Sequence, residues 1–261
     1  MNPPAILLFA LALNALSPEE KAAGWQLLFD GKTFQGWENL AAKNPPSDSW
    51  SIEDGCLKSK RRPERRDDLL TTATFEDFEL SFEWRIAPGG NSGVKYRIQD
   101  RFYLNERRNK EFKRFEDLAI DAIRTRATPR AEATQEYIVG FEYQVIDDSG
   151  HQDAKRGAYY QAGSLYDMIA PVKPNARPVG EFNQARIVVR GHRIEHWLNG
   201  EKVLDGDLAD PAIKARVARR WTDNSPIYDL LAKQPKRATA IALQNHNDEA
   251  WFRNIKIRRL R

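Results

Sequence analysis

Phe78-Glu79-Leu80-Ser81-Phe82-Glu83-Trp84-Arg85-Ile86 decides the fold. Apolar and polar residues alternate without a break, and period two over this length is a β-strand with one buried and one wet face. Val94, Tyr96 and Ile98 against Lys95 and Arg97 predict a second such strand. Phe141, Tyr143 and Val145 against Glu142 and Gln144 predict a third. Residues 186–190 and 193–198 flank Gly191-His192, and Asn199-Gly200 follows, so two hairpin turns are expected. Residues 238–243 and 251–257 add two more strands. At strand spacing Trp84 and Trp251 face the core, and Trp25 and Trp37 read as packing residues.

Two stretches break the alternation. Residues 100–135 are highly charged, with Phe112, Phe115, Leu118, Ala119 and Ala122 at helical spacing. Residues 209–233 carry Ala212, Ile213, Val217 and Trp221 as an apolar stripe. With no internal repeat and no Pro/Gly-rich linker, the chain reads as all-β. It is expected to form one jelly-roll sandwich over 18–261 with helical insertions at 100–135 and 209–233.

Composition bounds the function. The 261 residues include 41 Lys+Arg and 37 Asp+Glu, a net charge of +4. That near balance lacks the concentrated basic charge of a nucleic-acid binder, so no nucleic-acid partner is expected. A single cysteine, Cys56, excludes an internal disulfide framework and a cysteine-rich zinc site. Residues 1–17 hold an apolar run too short to span a bilayer, followed by small residues. They read as a secretory leader without Lys or Arg, or as a disordered tail. Export, periplasmic or extracellular in a bacterium, is therefore expected, with no stable membrane insertion. Ser17-Pro18-Glu19-Glu20 is an N-cap with Pro at N1, predicting a short helix that ends near Gly24.

The candidate chemistry gathers on Glu142-Tyr143-Gln144-Val145-Ile146-Asp147. Glu142 and Gln144 share a strand face, and Asp147 joins them only through a bulge. An acid–amide–acid row supplies a base, an orienting hydrogen-bonder and an acid. His151 sits in an acid-rich turn with Asp147 and Asp153, where carboxylates favour the imidazolium. These three are residue types that ligate a cation, but no established metal spacing is present, and no cofactor is assigned. His246 ends a strand where loops carry function. His192 reads as a turn residue and His196 as a strand-face residue. Lys95 and Arg97 share a face in extended geometry, where a fixed cation stabilises developing negative oxygen.

Several motifs in order carry a family resemblance. They are Gly24-Trp25 through Gly31-Lys32 to Gly36-Trp37, Asn91-Ser92-Gly93-Val94-Lys95-Tyr96-Arg97, and Phe141 to Asp148 with His151-Gln152-Asp153-Ala154. Gly163-Ser164-Leu165-Tyr166-Asp167, Glu195 to Gly200, Ile241 to His246 and Trp251 to Ile255 complete the set. Together they resemble the 3-keto-disaccharide hydrolase family, also described as 3-keto-glucoside 1,2-lyase/3-keto-2-hydroxy-glucal hydratase domains. The resemblance implies a concanavalin A-like sandwich and exported enzymes of bacterial sugar catabolism acting on oxidised, 3-keto glycosides or disaccharides. On this reading Glu142 or His246 is the base. Lys95 and Gln144 are donors to the enolate or ketone, and Asp147 or His151 is the acid. Asn91, Arg97, Gln144, Tyr166 and Gln244 are substrate-binding candidates. A conventional glycoside hydrolase and a non-catalytic carbohydrate-binding module are the alternatives. The chain departs from the family pattern in the long 100–135 insertion, in Ala238-Thr239-Ala240 and in Asn247, the last two where glycine is expected.

Overall fold

The structure, a computed structural model, describes residues 13–39, 48–233 and 236–260. In chain order the strands are β1 (Gln26–Leu27), β2 (Trp37–Glu38), β3 (Trp50–Glu53), β4 (Cys56–Ser59), β5 (Leu69–Thr71), β6 (Phe78–Ile86) and β7 (Asn91–Leu104). They continue with β8 (Gln135–Ile146), β9 (Asn183–Arg190), β10 (Arg193–Leu198), β11 (Glu201–Asp207), β12 (Ala242–Leu243) and β13 (Ala250–Arg259). The helices include α1 (Pro18–Ala22), α2 (Phe115–Thr125) and α3 (Pro211–Trp221), with shorter helical turns beside them. A large sheet runs β11-β10-β9-β6-β13-β4-β3, with β1 also on β13, and a small one runs β2-β5-β12-β7-β8. The paired strands are antiparallel, so the molecule is a two-sheet sandwich carrying helical insertions.

The alternation of β6 places Phe78, Leu80, Phe82, Trp84 and Ile86 in the core. Val94 and Tyr96 of β7 and Phe141, Tyr143 and Val145 of β8 meet them from the small sheet. Phe82 lies 5.6 Å from Tyr143 and Phe78 6.5 Å from Tyr96, both edge-on. Burying each such side chain contributes about 1.5–3 kcal/mol. His196 is fully buried among them, its Nε2 2.9 Å from Tyr96 Oη and its Nδ1 2.9 Å from Gly163 O. Asn199 and Gly200 both take positive φ, 50° and 85°, as a tight hairpin between β10 and β11 requires.

Three expectations about faces are corrected. The pairing of β7 with β8 shifts between Tyr96 and Asp100, and Arg97 takes φ 52° there. That bulge takes Ile98 out of the main core to pack with Leu70, Ile138 and Ala242, while Phe102 and Leu104 beyond it are again in the main core. Trp251 faces outward, with Arg85 4.3 Å and Lys58 5.0 Å from its ring centroid. Ala212 is exposed on α3, whose buried stripe is Ile213, Val217 and Trp221.

The helices form where their caps are written. Ser17 Oγ accepts from Glu20 N at 3.2 Å while Glu20 Oε2 accepts from Ser17 N at 3.0 Å. Asp210 caps α3 through Ala212 N at 2.7 Å, with Pro211 at N1. The expected leader falls mostly on residues 1–12, outside the described residues. Asn14 packs against the large sheet, exchanging 2.7 and 2.8 Å hydrogen bonds with Asn254. Among the described residues no helix is long and apolar enough to cross a membrane. α2 and α3 cover the start of β8, where Phe115 and Trp221 approach the Tyr137 ring at 5.5 and 6.0 Å.

Candidate active site

The register of the small sheet builds a polar row on its outward face. Lys95 stands directly across from Glu142, and Gly93 from Gln144. β12 pairs Ala242 with Lys95, and Gln244 N donates to Gly93 O at 2.9 Å. Opposed side chains in such pairs lie about 5 Å apart, so these groups converge. Of these, Glu142 and Gln244 line a cleft of about 270 Å³ together with His246, Asn91, Tyr166, Tyr137, Asp153, Arg66, Arg156 and Arg220, among others. A recess of about 20 Å³ shares Glu142, Tyr137, Tyr166 and Arg220 with it and reaches Lys95.

Glu142 is held from both sides. Gln144 Nε2 donates to its Oε1 at 3.1 Å and to Ser92 O at 3.0 Å, in the orientation that satisfies both ends of the amide. Gln244 Nε2 donates to Oε2 at 3.3 Å, leaving the buried Gln244 Oε1 without a partner among the described residues. Gly93 makes the room, since a Cβ there would sit 2.5 Å from Glu142 Oε1. Burial pushes the Glu142 carboxyl up to about 7, against the pull of Lys95 and Arg220. Lys95 is 3% exposed and bonds Asp68 Oδ2 at 3.0 Å. Burial works to lower its ammonium, but Asp68 and Glu142 outweigh that and hold it above the usual lysine value.

His246 completes the constellation. Burial, with Arg66 and His151 adding, pushes its imidazole down to about 3, so the ring is neutral at physiological pH. Among the described residues nothing hydrogen-bonds its ring nitrogens, which leaves them for a ligand. His151 lies behind it, ring centroids 6.4 Å apart, and accepts from Asp153 N through Nδ1 at 3.0 Å. That bond places the proton of a neutral His151 on Nε2. The cleft thus offers a carboxyl poised near neutrality, a fixed ammonium and an unprotonated imidazole.

Two candidates do not join this group. Asp147 forms a turn instead of a bulge. Its Oδ1 accepts from Ser149 N, Ser149 Oγ and Gly150 N at 3.0, 2.7 and 2.8 Å, and its Oδ2 from Gly89 N at 2.8 Å. Partial burial works to raise this carboxyl, but those donors outweigh it and hold it below the usual range. Asp147 lies with Trp84, Ile86 and Pro178 in a different hollow. Arg97 is turned away by its bulge and donates to Gly191 O at 2.7 Å, near Asp77. Nor do Asp147, His151 and Asp153 form a cation site: no three His, Cys, Asp or Glu side chains group to hold a metal among the described residues.

Residues 24–258 match the model of the 3-keto-alpha-glucoside-1,2-lyase-like domain. The chain belongs to that family. A Bacteroides thetaiotaomicron protein named 3-keto-disaccharide hydrolase is 34% identical over 270 residues, covering 95% of this chain and 83% of that protein. A crystal structure of a suspected glycosyl hydrolase from Parabacteroides distasonis superposes with a TM-score of 0.71 at 26% identity, covering 95% of this chain and all of that one. Another from the same organism, at 24% identity and a TM-score of 0.58 over 90% and 99% of the two chains, shares the fold.

For this family member, sequence reasoning missed Asp68, Arg66, Arg156, Tyr137 and Arg220. Asp68, Arg66 and Arg220 come from elements remote in sequence from the acid–amide row, whereas Tyr137 lies on β8 itself and Arg156 just beyond it; only the Asp67-Asp68 pair before an apolar strand was visible as a signal. Where the family pattern expects glycine, Asn247 takes φ 70°, the left-handed region that asparagine tolerates best after glycine. A larger groove of about 530 Å³ crosses the outer face of the large sheet by Trp197. Its charges are already paired, Arg253 with Glu83 and Arg186 with Glu79 at 2.8 Å, and Lys256 with Glu20. The small-sheet cleft is therefore the better site.

Proposed function

We propose that this chain cleaves 3-keto-glycosides or 3-keto-disaccharides by elimination and hydration. The observation that carries the reading is Glu142, a carboxyl poised near 7 between two amide donors, across the strand pair from Lys95 and sharing the cleft with His246. A ketone at C3 acidifies the C2 proton. Glu142 or His246 takes that proton, and the C2–H pair forms C2=C3 while the carbonyl pair moves to O3. Re-forming the C3 ketone shifts the pair into C1=C2 and expels the C1 oxygen, which takes a proton from an acid in the cleft. Water then adds, oxygen to C1 and proton to C2, so the sum is hydrolysis. With Asp147 saturated by its turn, the acid role falls to His151, to protonated Glu142, or to water.

The named hydrolase relative and the family match support a carbohydrate substrate, and the cleft's volume suits one sugar ring with a modest aglycone. Export remains part of the proposal on the strength of the apolar N-terminal run. The test is turnover of 3-keto-trehalose and of trehalose in D₂O. Elimination places one solvent deuterium at C2 of the released keto sugar, above the uncatalysed background. Release with the C2–H bond retained, or cleavage of trehalose alone, would make the chain a conventional glycosidase. Affinity without turnover of either would make it a binding module.

A further inference from the structure

Arg220 stands out within the cleft. Its side chain is 18% exposed, yet its guanidinium donates no hydrogen bond to any described residue. Its nearest acid is Glu116, 3.7 Å from Nε. The guanidinium carbon lies 4.7 Å from the Tyr166 ring centroid and 4.9 Å from that of Trp221, which fixes the plane of the fork. The helix that presents it is anchored on both flanks. Arg216 donates to Asp167 O at 3.0 Å, Arg219 to Asp167 Oδ1 at 2.6 Å, and Trp221 is in the core. Other cations of the cleft hold hydrogen-bonded partners: Lys95 holds Asp68, Arg66 holds Gln135 and Glu106, and Arg156 holds Asp153.

A preorganised guanidinium whose only acid contact is a long ion pair with Glu116, and which makes no hydrogen bond to a described residue, suits two oxygens that are coplanar and adjacent. Removing the C2 proton of a 3-keto sugar creates that pair, because O2 and O3 then lie in the plane of the C2=C3 bond and O3 carries the negative charge. In the ground state O2 sits on a tetrahedral carbon and the pair is not planar. We propose that Arg220, delivered by the 209–233 insertion, is a catalytic residue that holds O2 and O3 of the enolate with its two-nitrogen fork. The role rests on the elimination reading. It gives the insertion a chemical purpose, the supply of an oxyanion donor from the side of the cleft opposite the sheet-borne Lys95.

The experiment compares wild type, Arg220→Met, Arg220→Lys and Arg220→Ala on 3-keto-trehalose, with a thermal melt to confirm folding. Loss of one such donor lowers kcat by about 10²–10³-fold with KM changed less than threefold. Arg220→Lys recovers only part, since it keeps the charge and loses the fork, and millimolar methylguanidine restores part of the Arg220→Ala rate. A second arm needs no turnover: oxalate, a small planar anion with adjacent oxygens, binds wild type at least tenfold more tightly than Arg220→Met by calorimetry. An unchanged kcat, or equal oxalate affinity in the two proteins, overturns the proposal. If wild type turns over no keto sugar but oxalate binding still depends on Arg220, the elimination reading fails while the planar-oxyanion site stands.

Discussion

Glu142 and Asp147 lie five residues apart, one on β8 and one just past its end, and the structure drives them in opposite directions. Glu142 is recessed in the sheet face with two side-chain amide donors, and its carboxyl is pushed up to about 7. Asp147 turns into a loop where four hydrogen bonds, three from backbone N–H groups, hold its charge. Proximity in sequence therefore says little about an acid's role. The number of donors per carboxylate, set against its burial, decides whether it stores a proton or pins a turn. The histidines repeat the lesson. His196 and His246 are both held neutral by burial, pushed to about 4 and about 3, but His196 has protein partners on both nitrogens.

The largest expected effect is on turnover. Glu142→Gln should lower kcat on a keto substrate by about 10²–10⁴-fold, the range for a lost acid–base group, in a steady-state assay. His246→Ala should fall in the same range with little change in melting temperature, whereas replacing His196 by Leu should leave the rate and cost about 1–3 kcal/mol in denaturant unfolding by orphaning Tyr96 and Gly163. If the two histidine variants behave alike, the contrast drawn from their partners is wrong.

Linkage sharpens the acid pair. Because the folded Glu142 value lies above the unfolded 4.5, the fold binds the extra proton between about 4.5 and 7, and stability falls as pH rises through that window. The span amounts to about 3 kcal/mol at most and should vanish in Glu142→Gln. Asp147 behaves oppositely: its stabilisation is present above 3.8 and is lost as pH falls through its depressed folded value. Unfolding free energies of wild type and both variants across pH 3–8 check the two signs. Asp147→Asn should cost about 1–3 kcal/mol and keep kcat within a few-fold. The smallest effect is Asn247→Gly, which relieves φ 70° and should shift stability by under about 1 kcal/mol in either direction in a thermal melt.

Much of the fold was legible because burial on one face forces period two, and β6 shows it without interruption. The Glu142–Gln144 face and the Asn199-Gly200 turn followed from the same geometry. Arg97 failed because the pairing shift between Tyr96 and Asp100, with φ 52° at Arg97, turns its side chain toward Gly191, and no residue type announces it. Asp147 failed because a turn outcompeted the bulge. Arg220 was unreadable as a site residue, since nothing local tells a helix which of its arginines will overhang a sheet formed from strands far earlier in the chain.

One missing side chain has a wider consequence. Gly93 leaves the space that Glu142 fills, and a methyl group there would overlap its Oε1, Cγ and Cδ at 2.5–2.8 Å. The amides and cations of the cleft would survive that addition, while the carboxylate would have to leave its seat. On the proposed function, a single carbon atom at this position would separate a catalyst from a lectin, and relatives that carry a side chain there are the place to look for members that bind sugars without cutting them.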